Sequence, residues 1–325
     1  MTALTLGAYL RQVQSLVHDF TESAWTRREM IERINDARKD VSLDMQVVRK
    51  LVTGVQLMRG REVYNFDGAV CGVHITNRGE NYGSEFVTVT FSPPAAGGVQ
   101  AEAFARVKEP GPTPTDPDPD EDEHHWHDRV RPGQIDEIIM TEWGQWYSEV
   151  PTITITDPAG VGTGATATPI TMLNAINVLS LSNLWNTMRY SLSYRPFTIF
   201  QAWARSLERQ GFQSYPGMFT IRPGENLVYV EPVPNQTYFS EWDIVKLAEP
   251  LIGLHDIDRE VKDPYAQAVQ YKAAAYLLMK HQNFQQAEYY NTRYDARVPR
   301  IIAGAGGIRI ANPYNRSAFE KMRRA

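Results

Sequence analysis

The stretch Val73-His-Ile-Thr-Asn-Arg-Gly79-Glu-Asn-Tyr82, with Ser84-Glu-Phe-Val-Thr-Val-Thr-Phe-Ser-Pro-Pro-Ala95 and Ala101-Glu-Ala-Phe-Ala105, is written twice in this chain. Its second copy is Ile138-Ile-Met-Thr-Glu-Trp-Gly144-Gln-Trp-Tyr147, Ser148-Glu-Val-Pro-Thr-Ile-Thr-Ile-Thr-Asp-Pro-Ala159 and Ala165-Thr-Ala-Thr-Pro169. One residue of slippage aligns all three blocks. The shared grammar is strand, Gly-x-x-Tyr turn, alternating strand, Gly-rich turn and Ala-x-Ala strand. Alternation such as Thr152-Ile-Thr-Ile-Thr156 marks a strand with one buried face. Gly79 and Gly144 are expected at turn positions that need positive φ. Two such units can pack as a small sandwich.

Outward from the repeat the text changes. Leu10, Val13, Leu16, Val17 and Phe20 recur at helical spacing. Thr26 with Glu29 forms a capping box before Met30, Ile31, Ile34, Ala37 and Val41 on one helix face. The first sixty residues therefore read as helix. Downstream, Phe197 to Gly211 reads as a helix, Met218 to Pro232 as a hairpin around Arg222-Pro-Gly-Glu225, and Tyr238 to Leu247 as a strand. Asp263-Pro264 opens a helix that is expected to run unbroken to about Tyr294 or Val298, roughly 45–50 Å at 1.5 Å per residue. The expected fold class is α+β. A helical-bundle body carrying a β-hairpin occupies residues 1–60 and 173–300, interrupted by an all-β insertion domain over 61–172. An extended arm follows at 301–325.

At 325 residues with 42% apolar and 22% charged side chains, the chain can bury a large core. No apolar run reaches bilayer-spanning length, so no membrane partner is expected. Met1 to Phe20 lacks the pattern of a secretory signal. The single cysteine, Cys71, excludes an intrachain disulfide and a cysteine-based zinc site. The net charge of −5 conceals a segregation: residues 109–128 hold eight acids and five prolines without a Lys or Arg, whereas 293–325 hold eight bases and two acids. The acidic stretch reads as a disordered loop within the β domain. The rest of the chain, near −3, offers no large positive field for gripping DNA phosphates.

Candidate chemistry is sparse. His124, His125 and His127 stand beside acids, but a proline-rich loop does not hold ligands at fixed geometry, so no metal is expected. Gly160-x-Gly162-x-Gly164 and the glycines after residue 303 lack the Lys-Ser/Thr or the strand–helix context of nucleotide loops. Cys71 has no His partner nearby in sequence, and no Gly-x-Ser-x-Gly elbow exists. Neither a catalytic residue nor a cofactor is expected. Trp143, Trp146 and Tyr147 are candidates for stacking on a sugar or a partner, and equally for core packing. The C-terminal stretch carries Ile308, Ile310, Tyr314, Phe319 and Met322 among its bases, behind the glycine hinge Gly304, Gly306 and Gly307. That combination suits a segment that orders on a partner.

Three blocks together resemble the head–tail adaptor (connector) proteins of short-tailed bacteriophages. They are Trp25-Thr-Arg-Arg-Glu-Met-Ile-Glu-Arg-Ile-Asn-Asp-Ala37; Tyr194-Arg-Pro-Phe197 with Pro216-Gly217 and Gly224-Glu-Asn-Leu-Val-Tyr-Val-Glu-Pro-Val-Pro234; and Tyr265 to Tyr294 with Tyr271-Lys-Ala-Ala-Ala275. The repeat looks like modules of phage tail and fibre proteins. The resemblance implies a structural virion protein, made in the host cytoplasm and forming a dodecameric ring of its own copies beneath the portal. Double-stranded DNA would pass through the ring without specific binding. The arm residues Arg309, Ile310, Tyr314, Arg316, Phe319, Arg323 and Arg324 would meet the portal protein. Trp143, Trp146 and Tyr147 would face tail nozzle and tail fibre proteins. The alternative is a carbohydrate-binding tail or fibre module resting on the repeat and its tryptophans.

Overall fold

A computed structural model of the chain describes residues 4–83, 86–109, 130–185, 188–208 and 212–304. The histidines of the acidic segment and the arm from residue 305 onward lie outside the described residues. The chain divides into two compact units, 1–48 with 247–325, and 49–246. The helices are α1 (Leu6–Val17), α2 (Arg27–Met45), α3 (Phe197–Glu208), α4 (Ala266–Lys280) and α5 (Phe284–Gly304).

The first unit holds α1, α2, α4 and α5. Thr5 caps α1, its hydroxyl accepting from the Ala8 amide at 3.2 Å, and Thr26 caps α2 by accepting from Glu29 N at 3.3 Å. Glu29 does not complete the capping box: its carboxylate pairs with Lys280 of α4. Met30, Ile34, Ala37 and Val41 are buried on one stripe of α2, packed in one core with Tyr9 and Val13 of α1 and Ala273 and Leu277 of α4. The single long helix expected after Asp263 is in fact two. Gln282 takes a left-handed φ of 58°, and α4 and α5 pack as a hairpin in which Tyr271 meets Tyr290 and Arg297 bonds Gln267. A left-handed residue that is not glycine leaves little mark in a sequence, which is why the break is silent there.

A buried ion pair joins the two sequence halves of this unit. Arg38, 1% exposed, places Nε 2.7 Å and Nη2 2.8 Å from the two carboxylate oxygens of Asp258. Asp258 also accepts from Tyr9 Oη at 3.1 Å and from the amides of Glu260 and Val261. Arg38 donates further to the Glu249 carbonyl, and Asn35 exchanges two hydrogen bonds with the backbone of Leu251. With every lone pair engaged, the pair is tolerated in the core. Removing one partner from such a pair costs about 3–5 kcal/mol.

The second unit is β-rich. Its strands are β1 (Arg49–Leu57), β2 (Val63–Asn65), β3 (Ala69–Glu80), β4 (Phe86–Phe91), β5 (Glu102–Val107), β6 (Ile135–Glu142), β7 (Ile153–Thr156), β8 (Thr163–Met172), β9 (Ala175–Trp185), β10 (Met188–Ser191), β11 (Ser193–Tyr194), β12 (Gln213–Ser214), β13 (Met218–Arg222), β14 (Leu227–Glu231), β15 (Val233–Pro234) and β16 (Tyr238–Lys246). The four-stranded sheets run β1-β16-β9-β10, β11-β13-β14-β2 and β6-β5-β4-β7, with pairs β12-β15 and β3-β8 beside them. Strands hold 38% of residues and helices 29%. The expected helical-bundle body interrupted by a β insertion is therefore incorrect. Residues 49–57 and most of 175–246, assigned to that body, are strands. β-branched residues and short alternating runs decide there: β1 buries Val52, Val55 and Leu57, and β16 buries Trp242, Ile244 and Val245.

The repeat copies do not form separate sheets, because they exchange strands. The first strand of copy one, β3, pairs with the third strand of copy two, β8: Val73↔Pro169, His74↔Thr168, Ile75↔Ala167. The equivalent residues of the other two strands pair in the same register: Ile138↔Ala105, Ile139↔Phe104, Met140↔Ala103. The alternating strands β4 and β7 meet each other, with Thr90 opposite Thr154, its own counterpart. The turn residues that the two copies share lock this exchange. Tyr82 Oη accepts from Ala165 N at 3.3 Å, and Tyr147 Oη accepts from Ala101 N at 3.2 Å, each tyrosine reaching the other copy. Asn81 and Trp146, the residues before them, share left-handed φ values of 63° and 61°. Gly79 has the expected positive φ of 64°, but Gly144 does not. Gly144 is needed for room: a Cβ there would lie 2.4 Å from Tyr147 Cε2 and 3.0 Å from Ala101.

Replacing Gly144 by Ala is therefore expected to destabilise the protein by about 1–3 kcal/mol in urea unfolding, through overpacking. Gly217→Ala, where a Cβ meets nothing within 4 Å and φ is not left-handed, is expected to be neutral or to stabilise by about 0.4–1 kcal/mol.

Candidate functional site

Trp143, Trp146 and Tyr147 fall on opposite sides of the surface. Trp143 is fully buried, its ring 4.8 Å from Tyr64 and 5.5 Å from Trp242, with Nε1 donating to the Gln56 carbonyl at 3.0 Å. Gln56, also buried, bonds the backbone of Ile138 and Met140 through its amide, so this cluster ties β1 to β6. Tyr147 is buried and committed to Ala101 and to the Ser92 carbonyl. Trp146 alone of the three is exposed, at 53%. The proposed fibre or nozzle face thus loses two of its three residues to the core. Gly304 is the last residue of α5. Gly306, Gly307 and the arm residues Arg309, Ile310, Tyr314, Arg316, Phe319, Arg323 and Arg324 lie outside the described residues.

Several polar groups among the described residues bridge elements of the fold. No group of three or more His, Cys, Asp or Glu side chains comes together there in a way that could hold a metal ion. Cys71 is buried, donates to the Ile170 carbonyl at 3.3 Å, and has its thiol pushed well up by burial, far from the thiolate form a nucleophile needs. On α2, Asp40 accepts from Tyr276 and Asp44 from Tyr294 at 2.6 Å, while Lys272 Nζ sits 5.5 Å and 4.9 Å from the centres of those two tyrosine rings. These groups join α2, α4 and α5; they do not assemble a nucleophile with a base.

What the surfaces offer instead is apolar contact area. In the β-rich unit, α3 buries Phe200 and Ala204 yet presents Ile199 and Trp203, one turn apart, at 49% and 55% exposure. Tyr194 and Phe212, in the segments before and after α3, are about half exposed as well. The helix is apolar on two faces, and only one meets the unit's own core. That signal stands in the sequence, in Phe197-Thr-Ile-Phe-Gln-Ala-Trp-Ala204, where apolar residues occupy more of the helix than one stripe requires. In the helical unit, Phe20 and Phe284 are each 65% exposed, and Ile252 and Ile257 stand out from the segment that carries Asp258. No described helix is long and apolar enough to cross a membrane. Neither a protein-family model nor a curated protein matches the chain.

The buried tyrosines set a pH limit on the scaffold that carries these surfaces. Burial pushes the hydroxyls of Tyr9 and Tyr64 above the ordinary tyrosine value, and the Asp258 carboxylate adds to the effect at Tyr9. Each contributes stability that is complete below the unfolded value near pH 10 and is lost as pH rises beyond it, because the unfolded chain then releases protons the folded chain retains. At the acid end, burial of Asp19 opposes ionisation, but the amides of Ser23, Ala24 and Trp25 outweigh it and hold the carboxyl at about 2. Its contribution is present above the unfolded value near 4 and fades as pH falls towards 2. Thermal unfolding is expected to give a plateau of Tm between about pH 5 and pH 9, with a fall on each side. Tyr64→Phe should flatten the alkaline fall, and Asp19→Ala the acid one.

Proposed function

We propose that this chain is a structural virion subunit that assembles with copies of itself into a ring beneath a phage portal and joins the head to the tail nozzle and fibres. The carrying observation is the outward face of α3, where Ile199 and Trp203 stand half exposed on a helix already anchored by Phe200. Large apolar groups presented this way mark protein contact surfaces. A cyclic ring needs two different matching faces on each subunit, and apolar side chains stand out on separate elements in each unit. The order of the adaptor-like sequence blocks supports the same reading, as does the concentration of positive charge in residues 293–325, suited to charge-assisted bonds with another protein. The remainder of the chain, near −3, suits a conduit through which DNA slides, since each Lys or Arg contact to phosphate adds salt-sensitive affinity. In this reading the protein performs no turnover; its product is a joint, located in the virion neck.

Mass photometry of the full chain with and without purified portal tests this. The expected outcome is a defined multiple of the chain bound to portal. Removal of residues 305–325 should lower portal binding at least about tenfold, and Trp203→Asp should block ring formation while leaving a folded monomer by circular dichroism. A chain that stays monomeric on portal, or a Trp203→Asp variant that still forms rings, would overturn the proposal.

A further inference from the structure

A cleft of about 530 Å³ opens in the β-rich unit between Tyr190, Ser214, Tyr215, Asn235 and Tyr238. Its size falls within the range of small-molecule sites. The three tyrosines come from β10, the segment after β12, and the start of β16. They do not stack in parallel. Tyr215 stands edge-on to Tyr190, with centroids 6.0 Å apart and planes at 80°, and edge-on to Tyr238 at 5.2 Å and 84°. Tyr238 is buried at the base, Tyr215 is half-buried, and Tyr190 is 45% exposed at the rim. Tyr238 Oη donates to Asn235 Oδ1 at 2.6 Å, which occupies that oxygen and keeps the amide N–H groups of Asn235 as donors. Ser214 adds a hydroxyl. None of the five lining side chains is charged, and burial keeps the hydroxyls of Tyr215 and Tyr238 protonated beyond the ordinary range.

The lining selects among ligand classes. A charged ligand would find no counter-charge among the described lining side chains. A purely hydrocarbon ligand would strand the Asn235 amide and the Ser214 hydroxyl against an apolar surface. A proline-rich helix needs a run of aromatic ridges along a groove, whereas these rings close a corner. A pyranose matches both features: its C–H face lies on an aromatic ring, and its equatorial hydroxyls meet amide and hydroxyl groups at the edge. We propose that this corner binds a neutral sugar ring of a glycan, with Tyr190 as the stacking platform and Asn235 as the donor that orients the ring. The lining shares no residue with the exposed face of α3 and does not include Trp146, and its test reads ligand binding without requiring ring assembly.

Saturation-transfer NMR on the full chain tests this with three neutral disaccharides as probes, namely maltose, lactose and N,N′-diacetylchitobiose. Sialyllactose and a decaproline peptide serve as comparison ligands. The expected result is transfer to the ring C–H protons of at least one neutral disaccharide. Its affinity should fall about tenfold in Tyr190→Ala and in Asn235→Ala, and stay within about twofold in Tyr190→Phe, which keeps the stacking face. Tyr190 is a surface residue, so its variants are expected to unfold near the wild-type midpoint; Asn235→Ala also removes the acceptor of the buried Tyr238 hydroxyl, so its affinity is read only after circular dichroism shows it folded, and Tyr190→Ala carries the test. The proposal is overturned by the failure of all three disaccharides to bind, by binding that Tyr190→Ala leaves unchanged, or by binding of decaproline in their place.

Discussion

The exchange of strands between the two repeat copies is the constraint on which the β-rich unit depends. β3 is completed by β8 and β6 by β5, so each copy supplies the missing neighbour of the other. The tyrosine of each Gly-x-x-Tyr turn accepts a hydrogen bond from the first amide of the other copy's Ala-x-Ala block. Neither copy has a complete ladder by itself, and exposed strand edges are unstable in water. The arrangement also explains how so acidic a segment fits between β5 and β6. The hairpin closes before it, with Lys108 N bonded to the Gln134 carbonyl and Gly133 N to the Lys108 carbonyl. Beyond a closed hairpin, added chain length costs little.

The helical unit meets a related problem by other means. Its two sequence segments are separated by the whole of residues 49–246, so no local signal can bring them together. Burying Arg38 and Asp258 as a bidentate pair, with Tyr9, Asn35 and the backbone near Glu249 satisfying the remaining groups, gives the segments one geometry in which no charge is stranded. Both units thus use long-range polar contacts to fix register, and both leave apolar side chains outside.

The sequence revealed local periodicity and concealed partnership. Blocks of equal grammar disclosed the repeat, and the Thr26 cap with the Met30-to-Val41 stripe disclosed α2, because both signals are carried by neighbours in the chain. Spacing cannot say which strand sits beside which, so the exchange was invisible. Gly144 was legible as a special position, but its reason, the Tyr147 ring, was not. Trp143 and Trp146 are three residues apart at a strand end, where burial follows the turn and not a period; one became core and the other surface. Residues 49–57 misled because a short β segment competes weakly with the helical pattern beside it, whereas the hairpin over Met218 to Pro232 and the strand from Tyr238 were legible but the sheets they join were not. The tyrosine cleft draws on residues 190, 214, 215, 235 and 238, which no motif links.

Native-state hydrogen exchange on Tyr82→Phe and Tyr147→Phe tests the central claim most directly, since the first change deletes the inter-copy hydrogen bond to Ala165 and the second deletes two, to Ala101 and Ser92. If the copies fold as one body, each substitution accelerates exchange of the slowest amides in β3, β5, β6 and β8 by one common factor, about fivefold in Tyr82→Phe for a bond worth ~1 kcal/mol and larger in Tyr147→Phe. Acceleration confined to β5 in Tyr147→Phe and to β8 in Tyr82→Phe would show two independently stable copies and contradict the account.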